Sequence, residues 1–211
     1  GAQFAAAERG QNMRQDIIRG TLAALALTVT ANMAAAHEFT AALLVTGENR
    51  EARLAEAVNG FLLAADERDG HPAETSDGHL GGVDVQLLPL PAEAAGQVAG
   101  LVGTPRTPAD VLVVIGPEPD ASAAASPAFA GVVLRPGVLP DGWAAENDAS
   151  SFAARYQSTY GTAPTEAAAL GYNAARRLDI AIRPLDGVAP AAALEAALAE
   201  TAIGMDWQDV R

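Results

Sequence analysis

Short apolar runs alternate along the chain with longer stretches in which apolar positions recur every three or four residues. Four of these runs have the length of β-strands, and they lie at positions 40–46, 83–88, 111–115 and 131–134. Nearly continuous apolar runs of this kind are typical of strands that are buried on both faces of a sheet. Their alternation with helices predicts an α/β fold of three layers, α/β/α, around a mostly parallel sheet.

Helical periodicity predicts the elements between and after these strands. Helices are expected at 49–68, 92–102, about 149–160, from 164 to just before Pro184, and 190–201. The helix that begins near position 164 carries a stripe of small residues, which would let it lie close to the sheet. The polar, glycine-bearing segment 70–82 predicts a surface loop. In the tail after position 202, Trp207 is expected to be tucked against the protein.

An apolar segment near the start of the chain has the features of an export signal. Arg14 and Arg19 precede a short apolar centre, and small residues follow at 34–36. This order predicts a signal peptide at 13–36, with residues 1–12 upstream of it and a single periplasmic domain at 37–211. The apolar centre is too short to remain in a bilayer as an anchor.

Charge and residue usage exclude several classes of function. The chain has 26 acidic and 13 basic side chains, a net charge of −13, which opposes binding to nucleic acid or anionic lipid. It has no cysteine, and neither a Gly-x-Gly-x-x-Gly fingerprint nor a Gly-x-Ser-x-Gly elbow occurs. We therefore predict no enzyme activity and no nucleotide or other cofactor.

The three histidines do not predict a metal site. His71 and His79 match no standard ligand spacing, so the favoured interpretation is a solvated loop. His37 would become N-terminal after cleavage and could chelate copper through its amine and imidazole, which is the less favoured alternative.

Other charged and aromatic groups are given structural roles. The acidic cluster at 66–69 and the pair Arg176 and Arg177 are predicted to face solvent, the arginines also favouring the end of a helix dipole. Tyr156 and Tyr172 are predicted to be packing residues rather than the lining of a ligand cleft.

Two late segments resemble type I periplasmic binding proteins of the branched-chain amino acid class: FAARYQSTYGTAP at 152–164 and ALGYNAA at 169–175. Those proteins typically have here an aromatic-rich helix, Tyr-Gly, a proline and then Gly-Tyr-Asp-Ala, whereas this chain has Asn173 in place of the Asp. Earlier segments keep the same order, namely LVTG at 44–47, NGF at 59–61, VIGP at 114–117 and LRPG at 134–137.

The resemblance implies a fold of two α/β lobes that close around a solute, with the first lobe completed by the late helices. In this chain about a dozen residues separate the fourth predicted strand from those helices, too few for a second α/β lobe. We therefore expect one flavodoxin-like lobe, whose bare cleft face could also form a homodimer.

The resemblance also implies a binding site after the third and fourth strands, where the family uses hydroxyls and backbone groups. The first hydroxyl position falls near Asp120 and the second near Val138 and Leu139, so neither supplies a hydroxyl. Arg135 stands where a serine is usual and could attract a carboxylate. The expected half-cleft comprises Thr46, Gly47, Glu118, Asp120, Ser122 and Arg135.

Two functions stay open at this point. The first is an exported, non-catalytic solute-binding-type protein that is linked through a membrane ABC permease to uptake of amino acids or similar small polar solutes, with weak or lost binding. The second is a periplasmic interaction or accessory subunit that keeps the fold and binds a protein partner. An enzyme is disfavoured because no nucleophile, base and orienting partner can be named.

Overall fold

Strands and helices alternate as the hydrophobic pattern predicts. In the computed structural model the described residues are 38–68, 75–91, 109–117, 129–202 and Trp207. They contain, in chain order, β1 (Glu38–Val45), α1 (Arg50–Glu67), β2 (His79–Leu80), β3 (Val83–Leu90), β4 (Val111–Ile115), β5 (Val132–Leu134), α2 (Phe152–Tyr160), α3 (Glu166–Ile182) and α4 (Ala191–Glu200). The helix predicted at 92–102 lies outside the described residues.

The strands form one sheet in the order β2-β3-β1-β4-β5. β1 is parallel to β3 and β4, and β4 is parallel to β5, whereas β2 is antiparallel to β3. The α/β class is thus confirmed: the sheet is mostly parallel, helices flank it, and the topology is consistent with a single flavodoxin-like lobe. The prediction of a surface loop at 70–82 is wrong at the end of that segment. His79 and Leu80 form β2 there and pair with β3 through a turn at Gly81 and Gly82.

Both faces of the two central strands are buried. In β1, Ala41 and Leu43 join the large core that contains the helices, whereas Ala42 and Leu44 join a second cluster on the opposite face with Leu112 of β4. Successive side chains of a strand point to opposite faces, so only an apolar run without alternation can fill both clusters. For this reason the continuous apolar runs of the sequence correctly identified β1 and β4 as strands.

Helices α1 and α3 touch through their backbones. A Cβ at Gly60 would lie 2.7 Å from the carbonyl carbon of Ala168, and one at Gly171 would lie 2.8 Å from that of Ala57. Glycine at these two positions therefore allows the backbones of the two helices to approach this closely, because any side chain there would clash. Gly171 and Ala168 of α3 thus serve a close contact with α1, which the sequence pattern did not suggest.

The late helices complete the core of the sheet. Tyr156 of α2, Leu178 of α3 and Leu194 of α4 belong to the same buried cluster as Val113 of β4. Between β5 and α2 the described segment 135–151 contains turns but no strand or helix. Residues Glu38–Arg211 form one compact unit. The expectation that early strands and late helices fold together without an inserted lobe is confirmed.

Side-chain caps set the first residues of two late helices. Ser151 has an extended backbone and its Oγ accepts a hydrogen bond from the Ala154 N–H, so α2 begins at Phe152 rather than near position 149. Thr165 caps α3 in the same way by accepting from the Ala168 N–H, and its hydroxyl donates to Glu56 of α1 at 2.8 Å. A cap that also bonds α1 links the two helices at their ends.

The predicted solvent exposure of Arg176 and Arg177 is wrong. Their exposed fractions are 2% and 7%. Arg176 lies 3.7 Å from the carboxylate of Asp179, which is itself buried. The same carboxylate pairs with Arg68 and Arg183 and accepts a 2.8 Å hydrogen bond from the Gly81 N–H. Trp207, in contrast, is buried as predicted, and so are Tyr156 and Tyr172.

Candidate functional site

The carboxyl ends of the parallel strands lie along one edge of the sheet. β1 stands between β3 and β4, so the chain leaves β1 toward one side and later returns to pair with it on the other. Ligands of open α/β sheets bind at such a switch of strand order, outside the carboxyl ends of the strands. The loops that follow β1, β4 and β5 therefore mark the place to look for a site.

Thr46 and Gly47 follow β1 and lie directly against the loop after β4. The Thr46 N–H donates to the Ile115 carbonyl at 2.8 Å, which extends the ladder between the two strands. Gly47 has a φ of +90°, and a Cβ there would lie 3.0 Å from Cδ of Pro117. A Cβ at Gly116 would clash with the hydroxyl of Thr46. The two glycines let the loops close on one another.

The hydroxyl of Thr46 is not open to a solute in this arrangement. Its Oγ1 is buried and has no hydrogen-bond partner among the described residues. The Thr46 carbonyl accepts a hydrogen bond of 3.1 Å from the guanidinium of Arg53 in α1. What Thr46 and Gly47 present at this edge is therefore mainly backbone, held in place by Arg53, a residue that the sequence gave no reason to select.

Arg135 follows β5 on the same edge, and hydrogen bonds from α3 hold the loop that contains it. The guanidinium of Arg177 donates to the carbonyls of Arg135 and Pro136 at 2.7 and 3.0 Å, and to Leu198 O and Thr201 Oγ1 at 3.0 Å each. Burial lowers the pKa of Arg177 from its ordinary value. A guanidinium that is surrounded by neutral oxygens acts here as a clamp between the β5 loop and the end of α4.

Asn173 strengthens the same clamp. Its Nδ2 donates to the Pro136 carbonyl at 2.8 Å, and its Oδ1 accepts from Nε1 of Trp207 at 2.9 Å. An aspartate would offer no N–H to the carbonyl, so the asparagine at this position suits the local bonding. The remaining predicted site residues, Glu118, Asp120 and Ser122, lie outside the described residues.

A cavity of about 330 Å³ opens beside β1, on the side of β3. Its lining combines one cationic and one anionic side chain with an apolar wall, and consists of Val45, Arg50, Glu51, Leu54, Pro89, Leu90 and Pro91. The first four belong to the end of β1 and the first turns of α1, the others to the end of β3. The sequence pattern did not identify this set because the predicted strand at 83–88, which is β3 in the structure, ends before Pro89 and Pro91, the two prolines that line the cavity.

The start of α1 adds a positive field to this cavity. Asn49, with a left-handed backbone (φ 51°), precedes the helix and makes no side-chain cap. The first N–H groups of a helix lack partners within the helix, and its N-terminus carries a partial positive charge. A negative group of a ligand would be favoured near Arg50, and a positive group near Glu51.

A partly buried triad of Arg155, Glu67 and Tyr172 has a structural role. Arg155 donates to Glu67 at 2.7 Å and to the Tyr172 hydroxyl at 2.8 Å, and that hydroxyl donates to the other oxygen of Glu67 at 2.8 Å. Burial and then the charge of Glu67 raise the pKa of Tyr172 above its ordinary range. The ring of Tyr172 is fully buried, so this triad bonds α1 to α2 and α3. Glu67 is thus not the solvated residue that its sequence cluster suggested.

Neither a metal cluster nor a membrane span is found among the described residues. No three His, Cys, Asp or Glu side chains are grouped there to hold an ion, and His37 and His71 lie outside them. His79 is described, with its Nε2 2.6 Å from Asp84. Within the same residues no helix is long and apolar enough to cross a bilayer.

Comparison of the chain with models of known families, with characterised proteins and with solved structures gave no match. A binding site is therefore inferred first from the fold and the geometry of the sheet edge.

Proposed function

We propose that the chain is an exported, non-catalytic solute-binding-type protein that takes up a small polar solute at the carboxyl edge of its sheet. The observation that carries this proposal is the cavity of about 330 Å³ between β1, β3 and the first turn of α1. It lies outside the carboxyl ends of β1 and β3, on the edge of the sheet where ligands of open α/β sheets bind, and next to the point between β1 and β4 where the strand order reverses. Its place in an amino-acid or related ABC uptake system, with a permease as partner, rests on the family resemblance of the late segments.

The charges of the cavity suit a zwitterion of amino-acid size. Arg50 and the start of α1 favour a carboxylate, Glu51 favours an ammonium group, and Leu54 with Leu90 offers an apolar surface. Ligand sites range from roughly 300 to 1,000 Å³, so this cavity suits only a small molecule. Because one lobe supplies one wall, we expect weak binding unless a second copy of the chain covers the cleft.

Calorimetry with a panel of zwitterionic amino acids and small carboxylates tests the proposal. We expect binding in the millimolar to high-micromolar range for at least one zwitterion. Arg50→Gln should weaken it about three- to tenfold, because charge-assisted hydrogen bonds contribute roughly 1 kcal/mol where solvent competes. Arg183→Gln is the matched control, since Arg183 is exposed and lies at the far end of α3.

Three outcomes would oppose the proposal. They are an absence of heat across the whole panel at millimolar concentration, equal binding by wild type and Arg50→Gln, and equal weakening by the Arg183→Gln control. Circular dichroism of each variant establishes that a lost signal does not come from lost folding.

A second candidate, a periplasmic interaction subunit, is favoured by one observation. Val138, in the loop after the edge strand β5, is 89% exposed, and Val133 of β5 is 38% exposed. Exposed apolar residues beside a strand at the edge of a sheet, as β5 is among the described residues, are typical of a surface that meets another protein. Co-purification of one defined partner with the wild type, and its loss in Val138→Asp, would favour this candidate over solute binding.

A further inference from the structure

A second, smaller cavity lies in the connection between β5 and α2 and shares no lining residue with the cavity between β1, β3 and α1. Its volume is about 100 Å³. Three aromatic residues line it together with several small and polar ones; the lining consists of Pro140, Asp141, Gly142, Trp143, Ala145, Asn147, Ser150, Ser151, Phe152 and Trp207. No residue of this set belongs to the half-cleft, so an inference about it stands independently of the proposed function.

The aromatic part of this cavity is held rigidly. The rings of Phe152 and Trp207 meet edge to face with centroids 4.8 Å apart, and both contact the buried ring of Tyr172 at 4.6 and 5.0 Å. The indole N–H of Trp207 is fixed by Asn173. Trp143 belongs to a turn in which its own N–H donates to Pro140 O at 3.2 Å. A ligand would meet the rings of Phe152 and Trp207 without having to order them.

The charge around the cavity is negative. The segment 139–151 has three acidic residues, Asp141, Glu146 and Asp148, and no basic residue. Asp141 is exposed and makes no hydrogen bond or ion pair within the described residues. Asp148 accepts from the N–H and hydroxyl of Ser150, which lower its pKa and keep it ionised. The guanidinium of Arg155 bonds the Ser150 carbonyl and is paired with Glu67.

We propose that this cavity binds a small organic ammonium cation, with the aromatic residues around its substituents and Asp141 as counter-charge at the mouth. Aromatic residues attract cations, and quaternary ammonium groups are recognised by aromatic cages. Ligand sites for drug-sized molecules begin at roughly 300 Å³, so a cavity of about 100 Å³ accommodates a head group such as trimethylammonium rather than a larger solute.

The polar lining disfavours a sugar as occupant. The hydroxyl of Ser150 donates to Asp148, and that of Ser151 donates to the Asp148 carbonyl and caps α2. These hydroxyls are committed to the turn at 148–151, which leaves Asp141 and Asn147 as the open polar side chains. One carboxylate and one amide do not satisfy the many hydroxyls of a sugar ring, but one carboxylate is sufficient for a single cation.

Intrinsic fluorescence tests the proposal directly, because both tryptophans of the chain line this cavity and neither lines the half-cleft. The probe is choline, titrated at constant ionic strength, beside its neutral isostere 3,3-dimethyl-1-butanol. We expect a saturable change with choline at millimolar concentration or below, and at least about tenfold weaker binding of the isostere. Asp141→Asn should weaken choline binding by about three- to fivefold.

The matched control is Asp186→Asn, which removes the same charge from an exposed turn after α3 that accommodates asparagine at its positive φ. It should leave the choline titration unchanged. The proposal is overturned by no saturable change up to about 50 mM choline, by equal binding of the isostere, or by an Asp141→Asn titration that matches the wild type. Since Asp141 is exposed, circular dichroism should show that this variant folds like the wild type.

Discussion

Adding one methyl group at Gly60 tests whether α1 and α3 touch as the structure shows. The Cβ of Gly60→Ala would lie 2.7 Å from the carbonyl carbon of Ala168, closer still to its oxygen, and 3.0 Å from the Tyr172 nitrogen. All three are backbone atoms, which cannot rotate away as a flexible side chain can. The helices must therefore separate, and the contact of Gly171 with Ala57 must open with them.

Two effects of opposite sign decide the stability of this variant. In an isolated or exposed helix, replacing glycine by alanine stabilises by about 1 kcal/mol. Forcing an extra carbon into a closely packed contact costs roughly 1–3 kcal/mol, and a backbone partner puts this case at the upper end. We therefore expect the free energy of unfolding to fall by about 2 kcal/mol.

Urea unfolding followed by far-ultraviolet circular dichroism measures this change. Ala55→Leu, on the exposed side of the same helix, is the control and should shift the free energy of unfolding by no more than about 0.5 kcal/mol. A Gly60→Ala protein that is as stable as the wild type, or more stable, would refute the contact between α1 and α3, because only an uncrowded helix gains from the substitution.

Three further predictions follow from buried polar groups. Arg177→Met should lower the free energy of unfolding by about 2 kcal/mol in urea, since three carbonyls, two of them in buried hydrogen bonds, lose a donor; an unchanged midpoint would contradict the clamp. Tyr172→Phe should flatten the loss of stability at alkaline pH: burial raises the pKa of Tyr172 above its ordinary value of about 10, so its contribution is present below that pH and lost as pH rises above it. An alkaline slope identical to the wild type would contradict this. Ser151→Ala should cost about 1 kcal/mol through the lost cap of α2, and no change would mean that the cap is unimportant.

The sequence predicted the elements whose patterns are unambiguous. β1 and β4 are apolar at consecutive positions, and α1 has a regular stripe ending near Arg68, so their bounds agree with the structure to within two residues. Glycine at C-caps and Ser or Thr at N-caps are local signals of the same kind. β2 was missed because its two residues pair with β3 only through the turn at Gly81, and two residues have no periodicity.

The buried charges and the site could not be predicted in the same way. Arg177 sits on a helix that is buried on nearly every side, and its partners are carbonyls of the β5 loop and of α4, which no sequence pattern identifies. The half-cleft was predicted from family likeness at Thr46 and Gly47, and the structure places both on the expected edge. The larger cavity lies beside β1 on the side of β3, where the prolines at the end of β3 and the first turns of α1 line it together.

Mapping by nuclear magnetic resonance of the amides that respond to a zwitterionic solute tests the central claim most directly. That claim is that a single parallel-sheet lobe keeps a ligand site at its carboxyl edge. We predict concentration-dependent shifts confined to amides at 47–54 and at Leu90, around the cavity between β1, β3 and α1. Shifts that are absent across the amino-acid panel, or that cluster at the amino edge of the strands, would contradict it.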